Sequence, residues 1–182
     1  MARIDFLRTA MKDITQTGSV WESSRFLIRK LLDPVDWASA ETIIELGTGN
    51  GVITRAILER MNPDARLTAY EINPEFLELT RDRILGDSRC TLTDESAEYL
   101  EDLHPAGSVH AVISSLPFAI MDEALQESIL RQIHLVLKPG GQYLQYQYAP
   151  TKYRMITRRF QRVRLDYPLL NIPPAFVYSC TK

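Results

Sequence analysis

The 182-residue chain predicts an α/β domain whose core is a doubly wound, mostly parallel sheet of seven strands with helices ahead of it. Three observations carry this. Apolar runs of strand length alternate with stretches of helical periodicity along most of the chain. One run, Thr42 to Leu46, passes directly into Gly47-Thr48-Gly49-Asn50-Gly51 and then a helix former, the strand–turn–helix arrangement of a nucleotide pocket. The next apolar run closes on an acidic residue, Glu71, at a strand's carboxyl end.

Taken in order, helices are expected at 2–14, 23–33, 52–61, 74–85, 122–136 and 152–159, and strands at 42–46, 66–71, 89–93, 109–114, 142–148, 161–165 and 175–180. The first helix places Ile4, Leu7, Ala10, Met11 and Ile14 on one face, with Arg3, Arg8 and Lys12 outside it. That pattern suits either packing on the domain or lying on an anionic membrane surface. Ser23 and Ser24 are positioned to cap the second helix. Asn62-Pro63-Asp64 stops the third, and Lys138-Pro139-Gly140-Gly141 is expected to break the chain before the late strands. Asn171-Ile172-Pro173-Pro174 is a rigid loop within the domain. The chain is therefore expected to form one domain over 1–182, with 1–33 as a helical extension that caps the substrate or meets a membrane.

The glycine loop selects its ligand by spacing. A dinucleotide loop needs G-x-G-x-x-G, whereas here the third glycine stands one place earlier, and an acidic residue, Glu45, stands two places before the first. This Glu45-x-Gly47-Thr48-Gly49-x-Gly51 pattern resembles the donor loop of class I S-adenosylmethionine-dependent methyltransferases, with their Rossmann-like seven-stranded methyltransferase sheet and a late antiparallel hairpin. Glu71 stands about 20 residues beyond the loop, where a carboxylate can accept from both ribose hydroxyls; the adjacent Ile72 is counted in the same donor site. Many such enzymes carry Gly-Asp-Ala after the third strand. This chain reads Asp94-Glu95-Ser96-Ala97, so adenine falls to Ser96 or to Asp94 or Glu95, unless the segment is simply a capped turn.

The reaction is suggested by Ser114-Ser115-Leu116-Pro117-Phe118 after the strand Val109 to Ile113. Amine-methylating members of the superfamily show [N/D/S]-[L/P]-P-[Y/F] here, in which a polar acceptor aligns the target N–H, proline stiffens the turn and an aromatic ring faces the cation. Ser115 and Phe118 take those roles, with Phe118 as core in the plainer alternative. Over nearly the whole length the chain resembles bacterial phospholipid N-methyltransferases: in Gly18-Ser19-Val20-Trp21-Glu22-Ser23-Ser24-Arg25, in the Ser114 to Pro117 turn, in Gln145-Tyr146-Gln147-Tyr148-Ala149-Pro150, and in Asn171 to Ala175. Ribosomal RNA adenine dimethylases share the outline with asparagine at the turn. The resemblance implies S-adenosyl-L-methionine as cofactor and a lipid amine as acceptor. Tyr148 is the candidate for holding or accepting the amine proton, while Tyr146 alternates out of the same strand face or is core. Ser114 is counted in the donor site, and Ser19, Ser24 and Arg25 either reach the donor's carboxylate or a lipid phosphate or, as the plainer reading of Ser24, cap the helix. An RNA adenine methyltransferase and a noncatalytic donor-binding module are the alternatives.

Composition sets outer limits. The net charge is −2, yet Lys152, Arg154, Arg158, Arg159, Arg162 and Arg164 fall within thirteen residues free of acid, interleaved with Tyr153 and Phe160. Such a basic face suits anionic or zwitterionic membrane lipids, with nucleic acid as the weaker partner, or is simply a solvated helix face. Cys90 and Cys180 are isolated and the three histidines, His104, His110 and His134, are scattered, so no metal site is expected. Without a spanning apolar run or signal-like segment, the expected setting is a cytoplasmic monomer, peripherally associated with the inner face of the membrane.

Overall fold

The computed structural model describes residues 25–148, 152–167 and 175–182. The helix expected at 2–14, Ser24 and the other residues of the 18–24 segment, and the 171–174 loop lie outside the described residues. Seven strands, β1 (Thr42–Leu46), β2 (Arg66–Tyr70), β3 (Cys90–Thr93), β4 (Val109–Ser114), β5 (Leu137–Gln147), β6 (Arg162–Asp166) and β7 (Phe176–Thr181), form one sheet in the order β3-β2-β1-β4-β5-β7-β6. The first five run parallel; β7 is antiparallel to both β5 and β6. The sheet and its late hairpin are thus as the sequence predicts.

Among the described residues six α-helices accompany the strands: α1 (Arg25–Leu32), α2 (Val52–Leu58), α3 (Pro74–Ile84), α4 (Leu100–Leu103), α5 (Glu123–Val136) and α6 (Tyr153–Thr157). The core lies on both sides of the sheet, which is why β1 reads as an almost continuous apolar run. Ile43 joins a cluster with Leu27, Leu31 and Ile57 from α1 and α2, while Ile44 and Leu46 join Ile129, Ile133 and Ile156 from α5 and α6. Caps set the helix starts. The Asn73 side chain accepts from Glu75 N–H at 2.9 Å with Pro74 at the first helical position, and Asp122 accepts from Leu125 N–H at 2.8 Å.

Two expectations are corrected. The Lys138-Pro139-Gly140-Gly141 stretch does not break the chain, because β5 already begins at Leu137. The glycines form an irregularity within the strand: partners step from Val109–Leu137 to Ala111–Gln142, Gly140 takes φ +76°, and Gly140 N–H donates to Lys182 O at 2.9 Å. The second is the omission of a 3-10 turn at Ala97–Tyr99 running into α4, too short and too acidic to show helical periodicity. Its signal was the Ser96 cap, whose hydroxyl accepts from Glu98 N–H at 3.3 Å.

Candidate functional site

The strand order reverses between β1 and β4, so the crevice at their carboxyl ends is where an open α/β sheet takes a ligand. Both sequence motifs meet there. The glycine loop leaves β1, the Ser114–Phe118 turn leaves β4, and Ser115 N–H donates to Leu46 O at 2.9 Å. All three loop glycines have positive φ, each for a different neighbour. A Cβ on Gly47 would stand 3.2 Å from Leu116 Cδ2, so loop and turn touch. One on Gly51 would stand 3.0 Å from Thr80 Cα, where α2 crosses α3. One on Gly49 would meet nothing within 4 Å. Gly49 therefore offers the bare peptide face against which an adenosyl-type ligand can lie.

Glu71 is 2% exposed and reaches under this face. Its Oε2 accepts from Gly49 N–H at 3.0 Å and its Oε1 from Asn73 N–H at 2.9 Å. A carboxylate can accept from about four donors, so capacity beyond these two N–H groups is shared between the nearby Ile72 and Thr48 N–H groups and any bidentate ligand. Burial raises its pKa and these backbone N–H groups oppose the rise. Thr48 turns away from the crevice: its hydroxyl meets that of Thr80 at 2.8 Å, and Thr80 in turn donates to Gly49 O at 3.1 Å, tying the loop to α3. Ile72 is half-buried against the core beside Glu71.

Glu45 is fully buried, so its place is beneath the loop rather than on its open face. Neither its carboxyl oxygens nor the Thr54 hydroxyl makes a hydrogen bond of ordinary geometry. Burial pushes its pKa from 4.5 to about 8, the nearby Thr54 hydroxyl restraining the rise and the Glu71 carboxylate adding to it. An acid whose folded pKa is raised stabilises the fold below its unfolded pKa and loses that contribution as pH climbs through the folded value. Glu45→Gln removes the titrating group, so its melting temperature should match wild type near pH 4.5 and exceed it increasingly toward pH 8. A constant difference across that range would contradict a neutral Glu45.

After β3, Ser96 caps a turn as the plainer reading expects, its hydroxyl accepting from Glu98 N–H. Asp94 and Glu95 are exposed. Behind them Tyr70 and His104 form a buried pair, hydroxyl to Nε2 at 3.1 Å. Sequence reasoning missed this pair because its partners lie 34 residues apart.

The turn after β4 is held almost wholly by hydrogen bonds that no motif reveals. Ser114 Oγ accepts from Leu116 N–H at 3.3 Å, and the Leu116 carbonyl accepts from Phe118 N–H at 2.9 Å, Gln145 Nε2 at 2.9 Å and Gln147 Nε2 at 2.7 Å. Gln126 donates to the Phe118 and Met121 carbonyls at 2.7 and 2.6 Å. Ser115 Oγ is buried and has no hydrogen-bond partner. Phe118 is corrected: its ring is 0% exposed and belongs to the core, so it leaves no face for a cation.

Tyr148, just past β5, is 52% exposed and meets Tyr146 edge-on at 5.9 Å. Partial burial raises its phenol pKa, so at neutral pH the phenol keeps its own proton. The basic segment is partly neutralised by acids from elsewhere: Arg159 pairs with Glu127 at 2.8 Å and Arg164 with Asp166 at 2.8 Å. A shallow 280 Å³ cavity lined by Asp36, His110, Lys138 and Gln142 opens at the strands' amino ends, away from both motifs. Among the described residues no helix is long and apolar enough to span a membrane, and no group of His, Cys, Asp or Glu is placed to hold a metal.

Comparison with known proteins agrees with this geometry. Residues 43–141 match the methyltransferase domain family. The chain is 32% identical over 179 residues to an ornithine lipid N-methyltransferase of Singulisphaera acidiphila, covering 96% of this chain and 93% of that protein. An rRNA adenine N-6-methyltransferase of Lysinibacillus sphaericus is 24% identical over 75% of this chain but only 52% of its own length. Among solved structures, the N-methyltransferase NodS of Bradyrhizobium japonicum in complex with S-adenosyl-l-homocysteine has the same fold, with a TM-score of 0.78 over 97% of this chain and 98% of that one at 12% identity.

Proposed function

The chain belongs to the methyltransferase domain family and uses S-adenosylmethionine as methyl donor, and on that premise we propose that it methylates the amine of an aminolipid headgroup, of the ornithine-lipid or phosphatidylethanolamine type, at a membrane surface. The observation that carries this reading is the similarity to the ornithine lipid N-methyltransferase over 96% of this chain and 93% of that protein, which reaches well beyond the donor motifs. When bound, the donor supplies an activated methyl group that an unprotonated amine can take by in-line displacement.

The residues fit such a donor. Gly49 gives the open peptide face and Glu71 the bidentate acceptor for the ribose, while Ser96, Asp94 and Glu95 stand at the adenine end. The acceptor amine has an ordinary pKa of about 10 and must lose its proton before it reacts, which desolvation in the crevice favours. Ser115 receives the remaining N–H once its side chain rotates from its buried, unpartnered position toward the crevice. A buried hydroxyl without a partner costs about 1–3 kcal/mol, which binding of the amine recovers. Tyr148, at the rim, orients the headgroup through its hydroxyl. Ser115→Ala should therefore lower turnover on lipid by about 2- to 10-fold, the value of one hydrogen bond, with donor affinity unchanged.

Docking is assigned to the apolar residues Ile4, Leu7, Met11 and Ile14 together with Arg154, Arg158 and Arg162, for which no ion pair is found among the described residues, unlike Arg159 and Arg164. Each contributes about 1 kcal/mol near an anionic surface. Reversing all three should release the protein from anionic vesicles, as should rising salt. The substrate test is the rate of S-adenosylhomocysteine release with vesicles containing ornithine lipid, phosphatidylethanolamine or no amine, and with ribosomal RNA. Stimulation by an amine-bearing vesicle is expected; stimulation by RNA alone would transfer the basic face to nucleic acid and retire the lipid reading.

A further inference from the structure

We propose that Gln145 and Gln147 are positioning residues: their side-chain amides grip the Leu116 carbonyl, lock the acceptor turn against the glycine loop, and withdraw that carbonyl as a competing acceptor so that the substrate N–H is directed to Ser115. The proposal rests on the acceptor role given above to the Ser114–Phe118 turn.

The two glutamines stand two residues apart on β5 and therefore on one face of the sheet. They are 0% and 5% exposed. Side chains of this kind are mostly found at the surface, and burying them costs free energy unless their polar atoms are engaged. Both aim at one atom. The Leu116 oxygen takes Gln145 Nε2 at 2.9 Å and Gln147 Nε2 at 2.7 Å although Phe118 N–H, at 2.9 Å, already satisfies it. A carbonyl oxygen has two lone pairs, so three donors leave it no capacity for a fourth. Holding a turn closed needs one donor; two further donors from buried amides do something more.

What they do follows from the neighbouring residue. Ser115 Oγ, one position before this saturated carbonyl, is buried and has no partner. The turn therefore has one spent acceptor and one vacant one, side by side. The support beneath is stiff: Tyr143 O–H donates to Gln145 Oε1 at 2.6 Å, Gln145 also donates to Tyr146 O at 3.1 Å, and the fully buried Tyr143 ring stacks on Phe160 at 5.3 Å. Leu116 in turn carries the side chain that fills the space left by Gly47. A line of contacts thus runs from the core through β5 to the junction of turn and donor loop, and small displacements there are costly because transfer requires near-attack geometry.

The test uses the full chain with Gln147→Leu and Gln147→Glu. Gln147→Leu removes the donor; it should lower kcat on the accepted lipid at least 10-fold, change KM less, and leave S-adenosylhomocysteine affinity within about twofold of wild type, the scale of one lost hydrogen bond or less. Gln147→Glu restores a donor only when its carboxyl is protonated. Its rate relative to wild type should therefore rise as pH falls, while the Gln147→Leu ratio stays flat. A flat ratio in both variants, or a Gln147→Leu enzyme as fast as wild type, would overturn the proposal, as would a parallel loss of donor binding and kcat, which marks a purely structural role. If wild type methylates another acceptor in place of lipid, the substrate reading fails while the same ratios on that acceptor still decide the clamp. A wild type that binds donor and methylates nothing offered would overturn both.

Discussion

Glu71→Ala should weaken S-adenosylmethionine binding by about 10- to 150-fold, because a charge-assisted hydrogen bond contributes about 1.5–3 kcal/mol and the ribose contact is one of this kind. The loss has a second source. Glu71 also receives Gly49 N–H and Asn73 N–H, so the variant leaves one part-buried and one buried backbone donor unpaired where the donor loop must hold its shape. Titration calorimetry with S-adenosylhomocysteine measures the affinity, and circular dichroism shows whether the sheet persists. Unchanged affinity would remove Glu71 from the donor site.

Gly51→Ala and Gly49→Ala should separate folding from binding within one loop. Both positions have positive φ, which costs an alanine about 1–2 kcal/mol. Only Gly51 adds a collision, its Cβ lying 3.0 Å from the Thr80 backbone, and overpacking of that kind costs a further ~1–3 kcal/mol. At about 2–4 °C per kcal/mol for a domain of this size, Gly51→Ala should melt roughly 2–12 °C below Gly49→Ala. Donor affinity should show the reverse order relative to stability: Gly49→Ala places a methyl on the open face and loses binding without a comparable loss of melting temperature. Equal melting temperatures in the two variants would contradict the α2–α3 contact assigned to Gly51.

Much of this was legible in the sequence because it depends on local pattern. Strand-length apolar runs, the G-x-G-x-G loop and the helix expected from residue 74 are written in adjacent residues, and each forms where expected. The irregular strand at Pro139-Gly140-Gly141 was not, since whether such a stretch ends a strand or bulges within it depends on Lys182 at the far end of the chain. Phe118 illustrates the same limit. Its place in the motif suggested a wall for the substrate, but whether its ring faces crevice or core is decided by the tertiary cluster it joins, which also holds Met121, Leu125 and Tyr143. Ser96 matched two readings, and the structure engages it as a cap. The glutamines of β5 were visible only as family resemblance; their convergence on the Leu116 carbonyl, from 29 and 31 residues away, is a property of strand register.

The most direct measurement locates the transferred methyl group. Purified protein is incubated with methyl-labelled S-adenosylmethionine, vesicles containing ornithine lipid and phosphatidylethanolamine, and ribosomal RNA in one mixture, and the label is mapped by mass spectrometry of the separated lipid and nucleic-acid fractions. Label on the headgroup nitrogen of an aminolipid, abolished or strongly reduced by Glu71→Ala, is the predicted result. Label on adenine, or label on lipid that Glu71→Ala leaves undiminished, would contradict the assignment of acceptor or of donor site respectively.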